Sequence, residues 1–247
     1  MTINISFQSE ANTPSAQRIQ RIAHAGGGFN GLTYTNSIDA LNLNAPNYDL
    51  FEIDFSFTSD GELVCIHDWE ISAKRAFGLK FSEAPSIGQF QELVNNNRHF
   101  KNCTVNTLAE WLNNNSNKKI VTDVKEDNLA ALSIIAKKIP NFSERIIPQI
   151  YQPEEFEKVK NLGYKQIIWT LYRFEGNEEK ILNSVKNMNL YAVTMAPHLV
   201  ESMLARKLLD EFKIQSYVHT INSQDEFDKY LKLGIQEIYT DKLKQFP

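Results

Sequence analysis

The sequence predicts an α/β protein of the TIM barrel class, a (β/α)8 barrel with one antiparallel hairpin strand inserted after the second strand. Short β-branched runs alternate with amphipathic segments of helical length, which is typical of βαβ units and a parallel sheet. Nine such runs occur, and one follows its predecessor too closely for a parallel crossover, so eight parallel strands remain. The runs are 21–25, 51–55, 63–67, 119–125, 145–151, 166–172, 190–195, 215–221 and 236–241.

The extra strand is explained by a turn. Thr58-Ser-Asp60-Gly61 lies between the second and third runs, and this connection is long enough only for a hairpin. The third run must therefore return antiparallel to the second. That arrangement brings His67 back beside Glu52 and Asp54.

Helical patterns fill most of the other connections. They are 37–45, 106–115, 128–139, 153–163, 178–188, 199–212 and 223–234. No linker, low-complexity segment or convincing internal repeat interrupts the series. We therefore expect a single domain over 1–247, with residues 1–20 as an N-terminal extension.

Composition and charge exclude several classes of function. The net charge of −4 over 247 residues gives no reason to expect a nucleic-acid partner. The first 20 residues lack the pattern of a signal peptide, and no apolar run approaches the length of a transmembrane segment. Cys65 and Cys103 stand in no metal-ligand spacing and are compatible with a reducing compartment. These absences predict a cytoplasmic protein, and they leave its oligomeric state open.

Acidic residues lie at the ends of predicted strands, where the active site of a TIM barrel is found. Glu52 and Asp54 are two positions apart on one strand and so face the same way. Their repulsion is unfavourable unless a positive charge lies between them. With Asp123 from the next parallel strand they form a plausible oxygen cage for one divalent cation, Mg²⁺ or Ca²⁺, with Mn²⁺ as a further candidate.

Two histidines and a lysine accompany these carboxylates. His24 ends the first strand and His67 ends the hairpin return, so the two could serve as general acid and general base. Lys125, two residues after Asp123, could hold an anion next to the metal. This combination suggests hydrolysis or transfer at a phosphate.

The ordered series of motifs resembles the glycerophosphodiester phosphodiesterase family. From Glu52 to Asp68 every spacing agrees with the family pattern Glu-x-Asp-Val-x-x-Thr-x-Asp-Gly-x-x-Val-x-x-His-Asp. The resemblance extends from about residue 21 to residue 241. Its further segments are 21–27, 34–41, 107–110, 122–125, 220–222 and 239–241.

The resemblance implies an activity and residue roles. Glu52, Asp54 and Asp123 would bind the metal, and His24 and His67 would be the acid/base pair. In the family mechanism a neighbouring glycerol hydroxyl can attack phosphorus through a cyclic phosphate, and the products are glycerol 3-phosphate and an alcohol. The implied partner is a small-molecule or lipid-derived phosphodiester substrate.

Departures from the family pattern affect phosphate binding most. Ala25 stands where the family has arginine, so the expected guanidinium is missing. The replacement candidates for phosphate binding are Gly26, Gly27, Lys125 and Arg173. The family asparagine is kept as Asn36, and His219 replaces the usual tryptophan. Supporting roles are assigned to Asp68, Trp69, Asn36 and His219.

Several interpretations stay open at this point. The glycine run is either a tight turn or an anion cradle, and Trp69 either lines the pocket or packs in the core. Two functional alternatives also remain. One is a sphingomyelinase D-like phospholipid lyase that releases a cyclic phosphate. The other is a catalytically weak barrel that binds a phosphate ligand. The retained pair of histidines argues against this second alternative.

Overall fold

Eight parallel strands close into a TIM barrel in the computed structural model, which describes residues 19–246. The first strand pairs in parallel with both the second and the last, and this pairing closes the barrel. All nine predicted strands are present. They are β1 (Ile22–Ala23), β2 (Leu50–Phe57), β3 (Leu63–Val64), β4 (Lys119–Val124), β5 (Ile146–Ile150), β6 (Ile168–Thr170), β7 (Ala192–Met195), β8 (Ser216–Val218) and β9 (Glu237–Thr240).

The predicted hairpin is confirmed, since β3 runs antiparallel to β2 and pairs Val64 with Ser56. Its turn is closed by a hydrogen bond from Gly61 N–H to the carbonyl oxygen of Thr58 (3.0 Å), with Gly61 at φ +81°. The Asp60 carboxylate accepts from the Thr58 hydroxyl (2.7 Å) and from Ile87 N–H (3.0 Å). Thr58, Asp60 and Gly61 therefore form the turn, and Asp60 also binds the first residue of the helix that begins at Ile87.

The seven predicted helical patterns correspond to helices of the barrel's outer layer. In the described residues the α-helices are α1 (Ile38–Asn44), α2 (Ile71–Phe77), α3 (Ile87–Asn96), α4 (Val105–Asn114), α5 (Asn128–Lys138), α6 (Phe142–Arg145), α7 (Phe156–Asn161), α8 (Glu178–Val185), α9 (Pro197–Val200), α10 (Leu204–Phe212) and α11 (Gln224–Lys232). Capping residues fix the start of two of these helices. Ser37 caps α1, and Thr104 forms a capping box with Thr107 at the start of α4.

Three parts of the helical prediction were incomplete, and the smallest is the four-residue α6, which was not predicted. The single pattern at 199–212 is split into α9 and α10, because Met203 adopts a left-handed conformation at φ 66°. Helices α2 and α3 were not predicted. They lie between β3 and α4 and pack over a small core of their own, in which Val64, Ile66 and Phe90 are buried.

The barrel interior is built in layers. One buried residue from each parallel strand forms an apolar layer: Ile22, Leu50, Val121, Ile147, Ile168, Ala192, Tyr217 and Tyr239. The opposite face of each strand packs against the helices and belongs to the main core. Because side chains alternate along a strand, residues two positions further on also point inward. The next inward layer is therefore set by the residues at the carboxyl ends of the strands.

A disulfide joins Cys65 to Cys103, which are 38 residues apart, and fastens the segment after β3 to the start of α4. Both cysteines are buried, and their pairing was not predicted from the sequence. Asn102 supports the same junction, because its side-chain amide donates to the carbonyl oxygens of Thr35 (2.8 Å) and Cys65 (3.0 Å). The segments that carry Asn36 and His67 are thus tied to one another.

The predicted N-terminal extension, residues 1–20, lies outside the described residues except for Ile19 and Gln20. Within 19–246, no helix combines the length and the apolar composition that a membrane crossing requires.

Replacing both cysteines by serine is expected to lower the free energy of unfolding by about 4 kcal/mol, the loop-closure contribution of a 38-residue loop. Guanidinium unfolding with and without a reductant measures it. The reductant should destabilise the wild-type protein and have no effect on the double variant. An unfolding midpoint that reductant does not move in the wild type would show that the bond does not stabilise the fold.

Candidate active site

A polar layer lies directly above the apolar layer of the barrel, two residues further along each chain segment. Its members are His24, Glu52, Asp123, Gln149, Thr170, Thr194, His219 and Asp241. Alternation directs these side chains inward, at the carboxyl ends of the strands. Asp54 lies two residues beyond Glu52 and is on the same face of β2. The structure thus brings the predicted metal ligands and His24 to one end of the barrel.

Three carboxylates form the centre of this site. Glu52, Asp54 and Asp123 each offer an oxygen within 4.8 Å of the others, and all three residues are buried. Asp54 and Asp123 are direct neighbours in the register between β2 and β4. Among the described residues these three are the group of acidic, histidine or cysteine side chains with the spacing of a metal site.

The Glu52 carboxylate is only half satisfied. Its Oε2 accepts a hydrogen bond from Ala25 N–H (2.7 Å), whereas Oε1 is buried and has no hydrogen-bond partner. Burial and the charge of Asp54 raise the pKa of Glu52 well above its usual value. A cation placed between the carboxylates would supply the partner that Oε1 lacks and would favour the ionised form.

Asp54 is oriented by Asn36 through two hydrogen bonds. The Asn36 amide donates to Asp54 Oδ2 (2.9 Å), and the Asp54 N–H donates to Asn36 Oδ1 (2.9 Å). Asn36 therefore fixes the orientation of the Asp54 carboxylate, and its supporting role in the site stays a prediction.

Lys125 lies between two of the carboxylates. Its Nζ is 2.7 Å from Asp123 Oδ2 and 3.2 Å from Asp54 Oδ1. Burial alone would lower the pKa of Lys125, but the charges of the two aspartates outweigh it and raise the pKa. The ammonium is therefore a fixed positive charge beside the triad.

Two tyrosines orient Asp123, and neither was predicted from the sequence to lie at the site. The hydroxyl groups of Tyr151 (2.5 Å) and Tyr172 (3.0 Å) both donate to Asp123 Oδ1. Burial favours the protonated aspartate, but these hydrogen bonds and Lys125 outweigh it and lower the Asp123 pKa. Both tyrosines end predicted strand runs, and that position is the signal that could have found them.

Arg173 packs on the same tyrosines. Its guanidinium carbon lies 4.2 Å from the centre of the Tyr151 ring and 5.2 Å from that of Tyr172. One of its nitrogens donates to the Lys125 carbonyl oxygen (3.3 Å). Arg173 is thus held beside Asp123 and Lys125 by stacking, and its role in phosphate binding stays a prediction.

His24 is held by the last strand. Its Nδ1 lies 2.9 Å from Asp241 Oδ1, and Asn222 donates to the other Asp241 oxygen (2.8 Å). Burial alone lowers the pKa of this imidazole, but the hydrogen bond to Asp241 and the charges of Glu52 and Asp54 outweigh it. The pKa therefore rises from 6.5 to about 9.

His67 is held by its neighbour in the chain. Its Nδ1 lies 2.9 Å from Asp68 Oδ2, which also accepts from the Ser72 hydroxyl (2.8 Å). Asp68 Oδ1 accepts the N–H groups at the start of α2, so the same carboxylate orients the imidazole and caps the helix. Burial disfavours the ionised carboxylate, but these hydrogen bonds outweigh it and lower the Asp68 pKa to about 2. Each histidine thus has its Nδ1 fixed by an aspartate.

Tyr34 lies between the two histidines. Its ring centre is 4.4 Å from that of His24 and 5.9 Å from that of His67, edge to face in both cases. The side chain is 37% exposed, so it faces the mouth of the barrel. The sequence analysis did not single it out.

The glycine run after β1 forms a tight turn. Gly27 N–H donates to the His24 carbonyl oxygen (2.7 Å), and the Gly26 carbonyl oxygen accepts from the Asn44 side chain (3.1 Å). Gly26 and Gly27 both have φ +85°, and a Cβ on Gly27 would lie 2.7 Å from the Asn44 amide nitrogen. These contacts support the turn interpretation, and phosphate binding by Gly26 and Gly27 stays a prediction.

Trp69 and His219 lie in different environments. The Trp69 indole donates to the Phe57 carbonyl oxygen (2.9 Å) and packs on Phe90, so it belongs to the core under α2 and α3. His219 follows β8, with its ring 6.1 Å from that of Tyr172. Burial and the charge of His24 lower the pKa of His219 to about 4, so this imidazole is neutral at neutral pH.

Solved structures with the same fold are glycerophosphodiester phosphodiesterases. The enzyme from Thermotoga maritima is 21% identical with a TM-score of 0.69, and the comparison covers 92% of this chain and 96% of that one. One from Parabacteroides distasonis is 16% identical with a TM-score of 0.68, covering 90% and 92%. A phosphodiesterase from Oleispira antarctica, solved with the product sn-glycerol-3-phosphate, is 14% identical with a TM-score of 0.68, covering 91% and 93%. These likenesses show the fold.

The family itself is shown by sequence. No curated protein sequence matches the chain significantly. The model of the glycerophosphoryl diester phosphodiesterase family, however, matches residues 27–245, which is most of the chain. The match includes the three clustered carboxylates and His67, and it begins three residues after His24. The chain therefore belongs to the glycerophosphoryl diester phosphodiesterase family and is a phosphodiesterase.

Proposed function

We propose that this protein hydrolyses a glycerophosphodiester to glycerol 3-phosphate and an alcohol, with one divalent cation bound by Glu52, Asp54 and Asp123. The observation that carries the proposal is the unpartnered Glu52 Oε1 within a buried group of three carboxylates. Family membership supports the reaction.

The three side chains fit a hard cation such as Mg²⁺ or Ca²⁺. All donors are carboxylate oxygens, the ligands that these ions prefer, and no thiolate or imidazole belongs to the group. When bound, such an ion withdraws charge from a phosphate oxygen and stabilises the negative charge that develops during attack at phosphorus.

The chain's own residues would move the protons. Because Asp241 and Asp68 fix the Nδ1 atoms of the two histidines, each Nε2 is the atom left for proton transfer. His24, with its raised pKa, carries a proton at neutral pH and suits the general acid that protonates the leaving oxygen. His67 then acts as the general base that takes the proton from the attacking hydroxyl.

Positive charge around the phosphate would come from Lys125 and Arg173. Lys125 is fixed beside the triad by two aspartates, and Arg173 is stacked on the tyrosines that hold Asp123. They are the candidates for the function of the guanidinium missing at Ala25. His219, being neutral, suits a hydrogen bond to substrate better than charge neutralisation.

The same acid, base and triad would also serve a lyase that ends at the cyclic phosphate. The two reactions differ in whether water opens the cyclic intermediate. Phosphorus NMR of the products separates them, because glycerol 3-phosphate and a cyclic phosphate give different resonances.

The cytoplasmic location stays a prediction that rests on sequence patterns alone. The disulfide between Cys65 and Cys103 points the other way, because disulfides persist mainly in oxidising compartments.

The proposal predicts turnover of glycerophosphodiesters that EDTA abolishes and a single divalent cation restores. Purified protein would be assayed on glycerophosphocholine, glycerophosphoethanolamine, glycerophosphoglycerol, lysophospholipids and bis-p-nitrophenyl phosphate, with Mg²⁺, Mn²⁺ or Ca²⁺ added back. Release of glycerol 3-phosphate is the expected result. Full activity in excess EDTA would overturn the metal assignment, and folded protein without turnover of any substrate would overturn the hydrolase assignment.

Asp241→Asn is expected to lower the pKa of His24 from about 9 toward 6.5, because the amide cannot stabilise the imidazolium as a carboxylate does. His24→Ala should reduce kcat by about 10²- to 10⁴-fold, the usual contribution of a general acid. The pKa of His24 is measured by NMR titration of the wild type and Asp241→Asn. The kcat values of the wild type and His24→Ala are determined in parallel.

Asp68→Asn serves as the matched control for this titration, since it changes the aspartate beside the other histidine and should leave the His24 midpoint in place. An unchanged His24 midpoint in Asp241→Asn would contradict the role assigned to Asp241.

A further inference from the structure

A cavity of about 520 Å³ lies on the segment between β3 and α4, called the inserted segment below, and none of Glu52, Asp54 and Asp123 lines it. It opens between the carboxyl ends of α2 and α3 and the loop that follows α3. Four basic side chains line it: Lys74, Arg75, Arg98 and His99. Phe77 and Leu93 supply an apolar part of the wall. This volume is large enough for a group bigger than inorganic phosphate.

The positive charge of the cavity is not balanced by its surroundings. No aspartate or glutamate lines it, and none of the ion pairs found in residues 19–246 includes Lys74, Arg75, Arg98 or His99. In residues 19–246, the side chains of Lys74, Arg75 and Arg98 donate no hydrogen bond to a helix carbonyl group either. Lys101, which lies outside the cavity, already donates to the carbonyl oxygens of Val94, Asn95 and Asn97 at the end of α3.

Asn97 is a second, independent observation. It lines the cavity, is only 7% exposed, and accepts the His99 N–H through its Oδ1 (2.9 Å). Its Nδ2 is buried and has no hydrogen-bond partner. A buried donor without an acceptor costs free energy, so an acceptor on a ligand would satisfy it.

Arg75 connects this cavity to the active site. Its guanidinium carbon lies 5.9 Å from the centre of the Tyr34 ring, and Tyr34 contacts the imidazoles of both His24 and His67. Arg75 is exposed and lies on α2, which begins just after His67. A substrate held at the histidines could therefore extend past Tyr34 toward the four basic side chains.

We propose that this cavity is a substrate subsite that binds a second anionic group, a phosphate or a carboxylate, on the alcohol part of the phosphodiester. The assignment rests on the proposed hydrolase function. It makes glycerophosphodiesters with an anionic head group the preferred substrates, because they meet unpaired cations and the Asn97 donor.

The test compares two substrates that differ by one phosphate, glycerophosphoinositol and glycerophosphoinositol 4-phosphate. In the wild type the second substrate should have the higher kcat/KM. Arg98→Gln should lower the ratio of the two values about tenfold, as expected for one charge-assisted hydrogen bond. Lys158→Gln is the matched control, because it removes the same charge from an exposed position on α7.

Pyrophosphate binding to EDTA-treated protein, measured by calorimetry, tests the cavity without turnover. The acidic triad repels anions when no metal is added, so this binding reports the basic cavity, and Arg98→Gln should weaken it about tenfold. Loss of pyrophosphate binding with an unchanged substrate ratio would mean a site for a free anion and would overturn the subsite.

If both readouts are the same in wild type and Arg98→Gln, there is no anion site. If neither substrate is turned over, the hydrolase proposal fails. In that case the anion site is judged by pyrophosphate binding alone. If Arg98→Gln binds pyrophosphate as tightly as the wild type does, the anion site is overturned as well.

Discussion

Three carboxylates enclosed at one end of the barrel are the constraint on which the rest of the site depends. Their oxygens lie within 4.8 Å of one another, and burial makes that proximity costly. The chain offsets the charge with Lys125 and orients each carboxylate by hydrogen bonds from Ala25, Asn36, Tyr151 and Tyr172. One oxygen, Glu52 Oε1, receives none of them. That oxygen is therefore the one for which we propose a cation as partner.

The barrel positions this chemistry through the two-residue period of its strands. An apolar layer fills the interior, and the polar layer begins two residues later on each segment. The inserted segment between β3 and α4 then adds the second histidine of the site. It carries His67 and Asp68, which caps α2, and the Cys65–Cys103 disulfide ties it to the start of α4. The same segment forms the basic cavity, so the proposed general base and the proposed head-group subsite share one support.

The sequence was sufficient for the features that depend on local spacing. Nine strands, the hairpin, the carboxylates and the two histidines follow from alternation, a turn signal and strand ends. Features set by long-range contact were not predicted. Asp241 is 217 residues from His24, and the Cys65–Cys103 pair depends on where α4 begins. Helices α2 and α3 were missed because they pack on a separate core. The break at Met203 arises from a left-handed conformation at a residue that is not glycine, so the sequence gives no signal for it.

The most direct test of the central claim is calorimetric titration of EDTA-treated protein with Mg²⁺, Ca²⁺ and Mn²⁺, with the thermal unfolding midpoint measured alongside. The account predicts one cation bound per chain and a higher midpoint on binding. Glu52→Gln should lose the site, while Glu157→Gln, which neutralises an exposed carboxylate on α7, should keep it. Absence of binding by any of the three ions, or binding that Glu52→Gln leaves unchanged, would contradict the claim that the triad is a metal site.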